Sequence, residues 1–527
     1  MDPVPTEAPA PRRLLTPATV GGLSASVAAT VFTAVAHTVA PAMPFPPSSI
    51  AQILVRTTSG EVNSFFIGYL GHWALRLAVL GVAIVFALSG ALLGLLIARR
   101  SKVPWALAAS PLLIAAVILY PEVPQYVDRW TFALITLPLH LLAGVAGGMV
   151  ASKLIVAQPE IEVVEDVVIP RRMPGQVQPT RRYFLMALGV GGAGIALGLA
   201  NLGRRFSDPG DRLLNLTRIR RAKRPALDAS DAAFNEVAGL TPEVTSNQAH
   251  YVVDEEILDP VIETDGWTLS ITGMVDRDIA LTYEDLVHMG AVERYQTLMC
   301  ISNEIGGDLI SNALWTGVPL KTILDRAGID TAAVEVVFRA AGGYSDSIPA
   351  EQAMDESTLI AIGMNGHVLP RAHGYPARLL STGTYGYKNP KWLTEIEVVE
   401  SPYTGFWQHR GWDKEGAVPT MSRIDVPRSG DVSNSVTIGG IAFAADRGVA
   451  RVEVSDDDGH TWQAARLKTA LSDVSWRLWL LEWEPPGPGE YELLVRAHDG
   501  TGAVQISRHA SPFPSGATGY DSVTVTV

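Results

Sequence analysis

The alternation of apolar and polar positions divides the chain before any motif is read. In the first 203 residues, five stretches run for membrane-spanning length without Asp, Glu, Lys or Arg: about 14–41, then 77–98, 103–120, 130–152 and 183–203. Roughly 20 apolar residues cross a bilayer core as helix, so residues 1–203 are predicted to be an α-helical membrane region of about five transmembrane helices. Residues 204–245 are polar, rich in charge and proline, and read as a tether. From 246 the pattern turns mixed. Residues 267–272 alternate as a half-buried strand, short strands are expected at 334–340, 377–380 and 395–399, and a short helix begins at Thr282, with Asp285 three residues on as its capping partner. This predicts an α+β domain over 246–427. Over 428–527 the expected strands 436–444, 450–455, 476–483, 491–495 and 523–527 are punctuated by turns such as Asp458-Gly459 and Asp499-Gly500, the pattern of a β-sandwich.

Composition sharpens this division. The chain has 527 residues, 47% hydrophobic and 18% charged, which excludes a disordered chain. Residues 1–203 hold 13 Lys+Arg against 9 Asp+Glu, and the remainder 28 against 45. An acidic second half argues against nucleic acid as a partner, because phosphate backbones need a basic surface. A single cysteine excludes an internal disulfide and any all-cysteine metal site.

Basic residues set an orientation. They crowd before the first span (Arg12, Arg13), between the second and third (Arg99, Arg100, Lys102), and between the fourth and fifth (Lys153, Arg171, Arg172, Arg181, Arg182). The N-terminus is therefore expected to be cytoplasmic and everything beyond 204 extracytoplasmic, in a multi-pass protein of the cell membrane. Arg204, Arg205, Arg218, Arg220, Arg221, Lys223 and Arg224 run against that rule. Small residues near the end of the first span leave open its cleavage as a signal peptide. Thr180-Arg181-Arg182-Tyr183-Phe184-Leu185 resembles a twin-arginine export signal, a route that carries folded, cofactor-loaded domains. His37, His72 and His140 lie in or beside spans, where histidine serves as haem ligand or as interhelical hydrogen-bonding group; both readings stay open.

Two clusters carry candidate chemistry. Cys300 follows an apparent strand and enters a glycine-containing loop, Leu298-Met299-Cys300-Ile301-Ser302-Asn303-Glu304. A lone cysteine is either a small buried hydrophobe or a thiolate metal ligand. As a ligand it needs further donors, and no His/Asp/Glu cluster lies near it in sequence. The second cluster joins His373-Gly374-Tyr375-Pro376-Ala377-Arg378 to Tyr387-Lys388-Asn389-Pro390-Lys391-Trp392. Cations among Gly, Asn and aromatics suit a phosphate-bearing ligand.

These residues, with Asn312-Ala313-Leu314-Trp315-Thr316-Gly317-Val318-Pro319-Leu320, Met364-Asn365-Gly366 and Gly459-His460-Thr461-Trp462, resemble the sulfite oxidase-like molybdopterin enzymes over about residues 241–527. The resemblance implies Cys300 as the protein's thiolate on molybdenum, the other soft donors coming from a molybdopterin dithiolene. It implies His373, Arg378, Lys388, Asn389 and Lys391 as pterin and phosphate contacts, with Asn247, His250 and Tyr251 on an N-terminal loop against the cofactor. It implies Tyr403 as an active-site tyrosine, although the spacing to Trp407 is one residue longer than in sulfite oxidases. It makes the last domain an immunoglobulin-like, dimerisation-type sandwich and so implies a homodimer.

The departures also count. Sulfite oxidases carry arginines just after the ligand cysteine, where this chain has Ile301, Ser302, Asn303, Glu304 and Ile305. A dianionic substrate needs buried cations. The expectation is therefore a membrane-anchored, outward-facing molybdopterin oxidoreductase that transfers oxygen atoms on a small-molecule substrate, of sulfoxide-reductase rather than sulfite-oxidase type. Its electrons would be exchanged with a quinone or haem partner at the lipid bilayer. The rival is a non-catalytic membrane-anchored binding or sensor protein that uses the sandwich. A transporter is disfavoured, since the spans hold few charges.

Overall fold

The computed structural model describes residues 208–527, apart from 215, 217–218, 223–228, 254–258 and 433–434, together with scattered positions between 51 and 88 and the strands Ile161–Val164 and Val167–Pro170. Two compact units result: Met1–Thr57 with Leu75–Ser207, and Thr58–Ala74 with Asp208–Val527. In the first, the two strands just named pair antiparallel. Positions 77–85 are helical, and Leu77, Leu80, Ile84 and Val85 are exposed. Among the described residues no helix is long and apolar enough to cross a membrane. Most of the predicted spans lie outside the described residues, as do the Arg181-Arg182 segment, His37, His72 and His140.

The second unit is built largely of strands. In chain order they are Ile219–Arg220 (β1), Thr268–Gly273 (β2), Ile279–Thr282 (β3), Ala291–Met299 (β4), Ile310–Pro319 (β5), Glu335–Ala340 (β6), Ser345–Pro349 (β7), Leu359–Met364 (β8), His367–Val368 (β9), Arg378–Leu380 (β10) and Leu393–Val399 (β11), with helices Tyr283–His288 (α1) and Leu320–Ala327 (α2) between them. One sheet runs β9-β8-β5-β4-β1, with β10 also on β8; the other runs β3-β2-β11-β6-β7. Leu269, Ile271 and Ile396 from the second sheet, Val318 and Ile360 from the first, and Leu320, Ile323 and Leu324 of α2 share one core. The capping box predicted for α1 is present: Thr282 accepts from the Asp285 N–H, and Asp285 accepts from the Thr282 N–H. That satisfies two of the N–H groups a helix start leaves without partners.

The expected sandwich follows: Met421–Val426 (β12), Gly430–Asp431 (β13), Val436–Phe443 (β14), Val449–Ser455 (β15), Gln463–Ala464 (β16), Arg466–Leu467 (β17), Arg477–Trp483 (β18), Glu490–Asp499 (β19) and Asp521–Thr526 (β20). One sheet is β12-β14-β18-β17 and the other β13-β20-β19-β15-β16. Their inner faces meet around Trp479, Val452, Leu493 and Val495.

Two boundaries differ from expectation. The sandwich begins at β12, before residue 428, because Met421–Val426 pairs with β14. The segment 204–245, read as a tether, is partly built into the domain: β1 pairs parallel to β4, Phe234 is buried, and the Asn312 side chain donates to the Glu243 carbonyl at 2.8 Å. Its polar composition hid these backbone pairings.

The α+β part and the sandwich share a further core, in which Met299, Ile301, Ile310 and Tyr385 meet Ile441, Phe443, Trp476 and Leu478. Met299 and Ile301 flank Cys300, so the sandwich supports the loop that carries it. Trp479 is fully buried; Trp479→Ala is expected to lower unfolding free energy by about 3–5 kcal/mol, read as a fall in the urea midpoint.

Candidate active site

Cys300 stands where β4 ends. It leaves the strand because its N–H donates to the Leu309 carbonyl at 2.9 Å while its carbonyl accepts from Asn303 at 3.1 Å, which closes a tight turn. The Asn303 side chain accepts from the Leu309 N–H at 2.8 Å and pins the loop base. Thr297, one turn of pleat earlier, donates to the Asn312 side chain at 3.1 Å and accepts from the Trp476 N–H at 2.9 Å. The ligand loop is thus hydrogen-bonded into both parts of the unit.

Cys300 lines a cleft of about 820 Å³, open solvent included. Seven of the predicted site residues converge there: His250, Tyr251, Cys300, His373, Arg378, Asn389 and Lys391. The His250 ring stacks on Tyr251 and meets His373 edge-on with centroids 5.0 Å apart. Arg378 lies over Trp315, 5.2 Å from the ring centre. Its guanidinium donates to the carbonyls of His373 at 3.2 Å and Asn389 at 3.1 Å. Lys391 donates to the Ala372 carbonyl at 3.0 Å and sits 4.5 Å above the Trp392 ring.

Three predicted residues do not line the cleft. Asn247 supports it from behind: its carbonyl accepts from His373 Nε2 at 2.8 Å, and its side-chain amide bonds to Asn365 at 2.8 Å. The Lys388 ammonium is buried on Asp346 at 2.8 Å and on the Ser347 carbonyl at 2.8 Å, so its charge is neutralised inside the fold. Tyr403, the expected active-site tyrosine, turns its hydroxyl to Ser345 at 2.8 Å and to Arg339 at 3.4 Å. Its backbone N–H is held by Glu335 at 2.9 Å. The aromatic wall of the cleft is instead Tyr344, Tyr387, Trp407 and Trp412. Tyr344 donates to the Tyr387 carbonyl at 2.6 Å, and Tyr387 to the Asp413 carbonyl at 2.7 Å. The density of aromatics between 385 and 412 was the available sequence signal for Tyr387, Trp407 and Trp412, and Tyr344 lay outside it.

Burial dominates the electrostatics. It pushes the Cys300 thiol up, with hydrogen bonds from Ser302 and the Ile301 backbone pulling the other way. Metal coordination reverses that balance, since a coordinating thiol is deprotonated. Burial and the neighbouring His373 hold His250 well below the ordinary histidine value, and burial takes His373 down to about 4; both rings are neutral at pH 7. Because His373 Nε2 faces a carbonyl, that nitrogen carries the proton. Burial lowers Arg378 to about 10 and Lys391 to about 7.

The residues fit an anionic, hydrogen-bonding cofactor. None of the acceptors around Arg378 is a carboxylate, so a full positive charge faces the cleft without a counter-charge. His250 Nδ1 faces the Tyr251 carbonyl, and its Nε2 is buried without a partner. This leaves an acceptor that an N–H of a ring system would satisfy. Among the described residues no group of three His, Cys, Asp or Glu is placed to hold a metal. A metal held by Cys300 would therefore take its other donors from a ligand.

With that geometry in place, comparison with known proteins is informative. Residues 257–407 match the oxidoreductase molybdopterin binding domain, and residues 415–511 match the Mo-co oxidoreductase dimerisation domain. The chain thus carries a molybdopterin-binding oxidoreductase domain followed by a dimerisation-type domain, and its cofactor is molybdopterin with molybdenum. Among similar proteins are the mitochondrial sulfite oxidase of Macaca fascicularis, 32% identical over 290 residues, 46% of this chain and 53% of that one, and an inducible NADH nitrate reductase of Glycine max, 29% identical over 322 residues, 49% and 36% of the two chains. The chain spans about half the length of the sulfite oxidases it matches. The crystal structure of the sulfane dehydrogenase SoxCD from Paracoccus pantotrophus aligns at 23% identity with a TM-score of 0.48, over 54% of this chain and 81% of that one.

A pH dependence follows from Lys391. In the cofactor-free chain its folded value, about 7, lies below the ordinary lysine value of 10.5. Between those values the unfolded chain binds more protons, so stability rises with pH across that window. Lys391→Met is expected to flatten this rise, measured by urea unfolding below pH 7 and near pH 9.5.

Proposed function

We propose that this chain is a membrane-anchored, outward-facing molybdopterin oxidoreductase that reduces a sulfoxide-type substrate. The observation that carries the reading is the placement of Cys300 in one cleft with Arg378, Lys391, His250 and His373. When bound, the cofactor supplies a two-electron centre able to accept or release an oxygen atom. Cys300 would hold the metal. Arg378 and Lys391 would neutralise the anionic end of the pterin, and His250 and His373 would accept and orient its polar edge. The overall reaction balances as sulfoxide plus two electrons and two protons giving sulfide and water.

The substrate side supports a neutral ligand. The residues after Cys300 supply Ile301 and Ser302 to the cleft, and Tyr344, Tyr387, Trp407 and Trp412 complete it. Among the described residues no arginine besides Arg378 lines the cleft, and that one lies among the cofactor groups. A sulfite dianion would lack its own buried cations there, whereas a sulfoxide presents an apolar body and one acceptor oxygen.

Anchoring in the lipid bilayer of the cell membrane is supported by the five apolar stretches and by the exposed Leu77, Leu80, Ile84 and Val85 of the described helical segment. The Arg181-Arg182 segment supports export of a loaded domain. Electrons would come from quinone or a haem partner, and the dimerisation-type sandwich supports a homodimer.

The test is reduction of dimethyl sulfoxide by a reduced viologen dye, set against oxidation of sulfite, on purified protein with its molybdenum and pterin quantified. Sulfoxide turnover without sulfite turnover is expected; the reverse would overturn the substrate assignment. Cys300→Ser is expected to lose turnover while its unfolding free energy stays within about 1 kcal/mol of the parent; full activity in that variant would remove Cys300 from the chemistry.

A further inference from the structure

The segment Thr58–Ala74, between the first two predicted spans, belongs to the same compact unit as the active-site domain. Its Gly60 is helical and sits against that domain more closely than any side chain would permit. A β-carbon at Gly60 would lie 2.6 Å from Phe513 Cε2, 2.7 Å from Trp412 Nε1 and 2.9 Å from the Arg410 carbonyl oxygen. Trp412 and Phe513 form an edge-to-face pair with centroids 5.3 Å apart. Trp412 also lines the cleft. The Trp412 ring therefore has Gly60 at its indole nitrogen while it contributes to the cleft wall. Its indole N–H is buried without a hydrogen-bond partner, so packing alone fixes how far the ring projects into the cleft.

We propose that Gly60 is a positioning residue that acts through Trp412, so that the segment between the first two predicted spans sets the shape of the substrate side of the cleft. The claim rests on the reading of this cleft as the active site. A side chain at position 60 must either push Trp412 and Phe513 towards the cleft or lift the segment away. Either response changes the wall that a substrate meets, since the three atoms nearest a β-carbon at position 60 belong to Phe513, Trp412 and Arg410 and not to the cofactor groups Arg378, Lys391 and His373.

The experiment pairs Gly60→Leu with the compensating variant Gly60→Leu/Phe513→Ala, in which the space of the removed ring receives the new side chain. Two readouts are taken on the full-length protein with molybdenum and pterin content matched to the parent. The first is limited proteolysis within residues 58–66, which reports the seat whatever the cleft binds. The second is KM against kcat for dimethyl sulfoxide. Gly60→Leu is expected to speed cleavage of the segment and to raise KM by about ten-fold with kcat little changed, and the double variant to return both towards the parent. Unchanged proteolysis in Gly60→Leu overturns the seat. Faster proteolysis with an unchanged KM overturns the link to Trp412. Equal loss of kcat in both variants overturns a positioning role. A parent protein without bound pterin would fail the active-site reading instead, and the proteolysis result would still decide whether Gly60 is seated as described.

Discussion

A guanidinium removed from water with only carbonyl oxygens around it is the constraint on which the site turns. Arg378 is buried, and its acceptors are the carbonyls of His373, Asn389 and Leu379. Such an arrangement disperses the charge without cancelling it, and desolvating an uncancelled charge is costly. The contrast with Lys388, close in sequence, is instructive: there the ammonium meets the Asp346 carboxylate directly and the charge is closed off. One cation of the cluster stabilises the fold; the other is left facing outward for an anion to complete.

The scaffold keeps these opposing requirements apart. The hairpin of β4 and β5 brings Cys300 to the cleft, and the connection between β10 and β11 brings Asn389 and Lys391 to the same cleft. Trp315 of β5 lies beneath Arg378 and is itself fixed by its indole N–H on the Gln296 carbonyl at 3.0 Å. Strand pairing therefore sets the spacing between the Cys300 sulfur and the cationic loop, and no single loop has to hold both.

Much of this was legible in the sequence, for identifiable reasons. The strands with one solvent face, such as β2 and those of the sandwich, show alternation and turn residues. The strand β8 shows neither, because all six of its residues are buried; a strand covered on both faces has no polar phase to reveal it. Cys300 and its partners were recognisable as motifs. What the sequence could not distinguish is which cation of a run faces inward: Lys388 and Lys391 differ only by three positions, and Asp346, forty residues earlier, decides the matter. Tyr403 was expected in the site from its neighbours in sequence, yet Ser345 and Arg339 claim its hydroxyl.

The core shared by Met299 and Ile301 with Ile441, Phe443, Trp476 and Leu478 has a consequence for how the two domains depend on each other. A module docked by surface contacts can be lost or exchanged without harm to its neighbour. Here the sandwich forms the floor beneath Cys300, so its deletion would leave greasy side chains on either side of that residue in water. The loop that carries Cys300 is therefore expected to lose its order together with the sandwich, not independently of it.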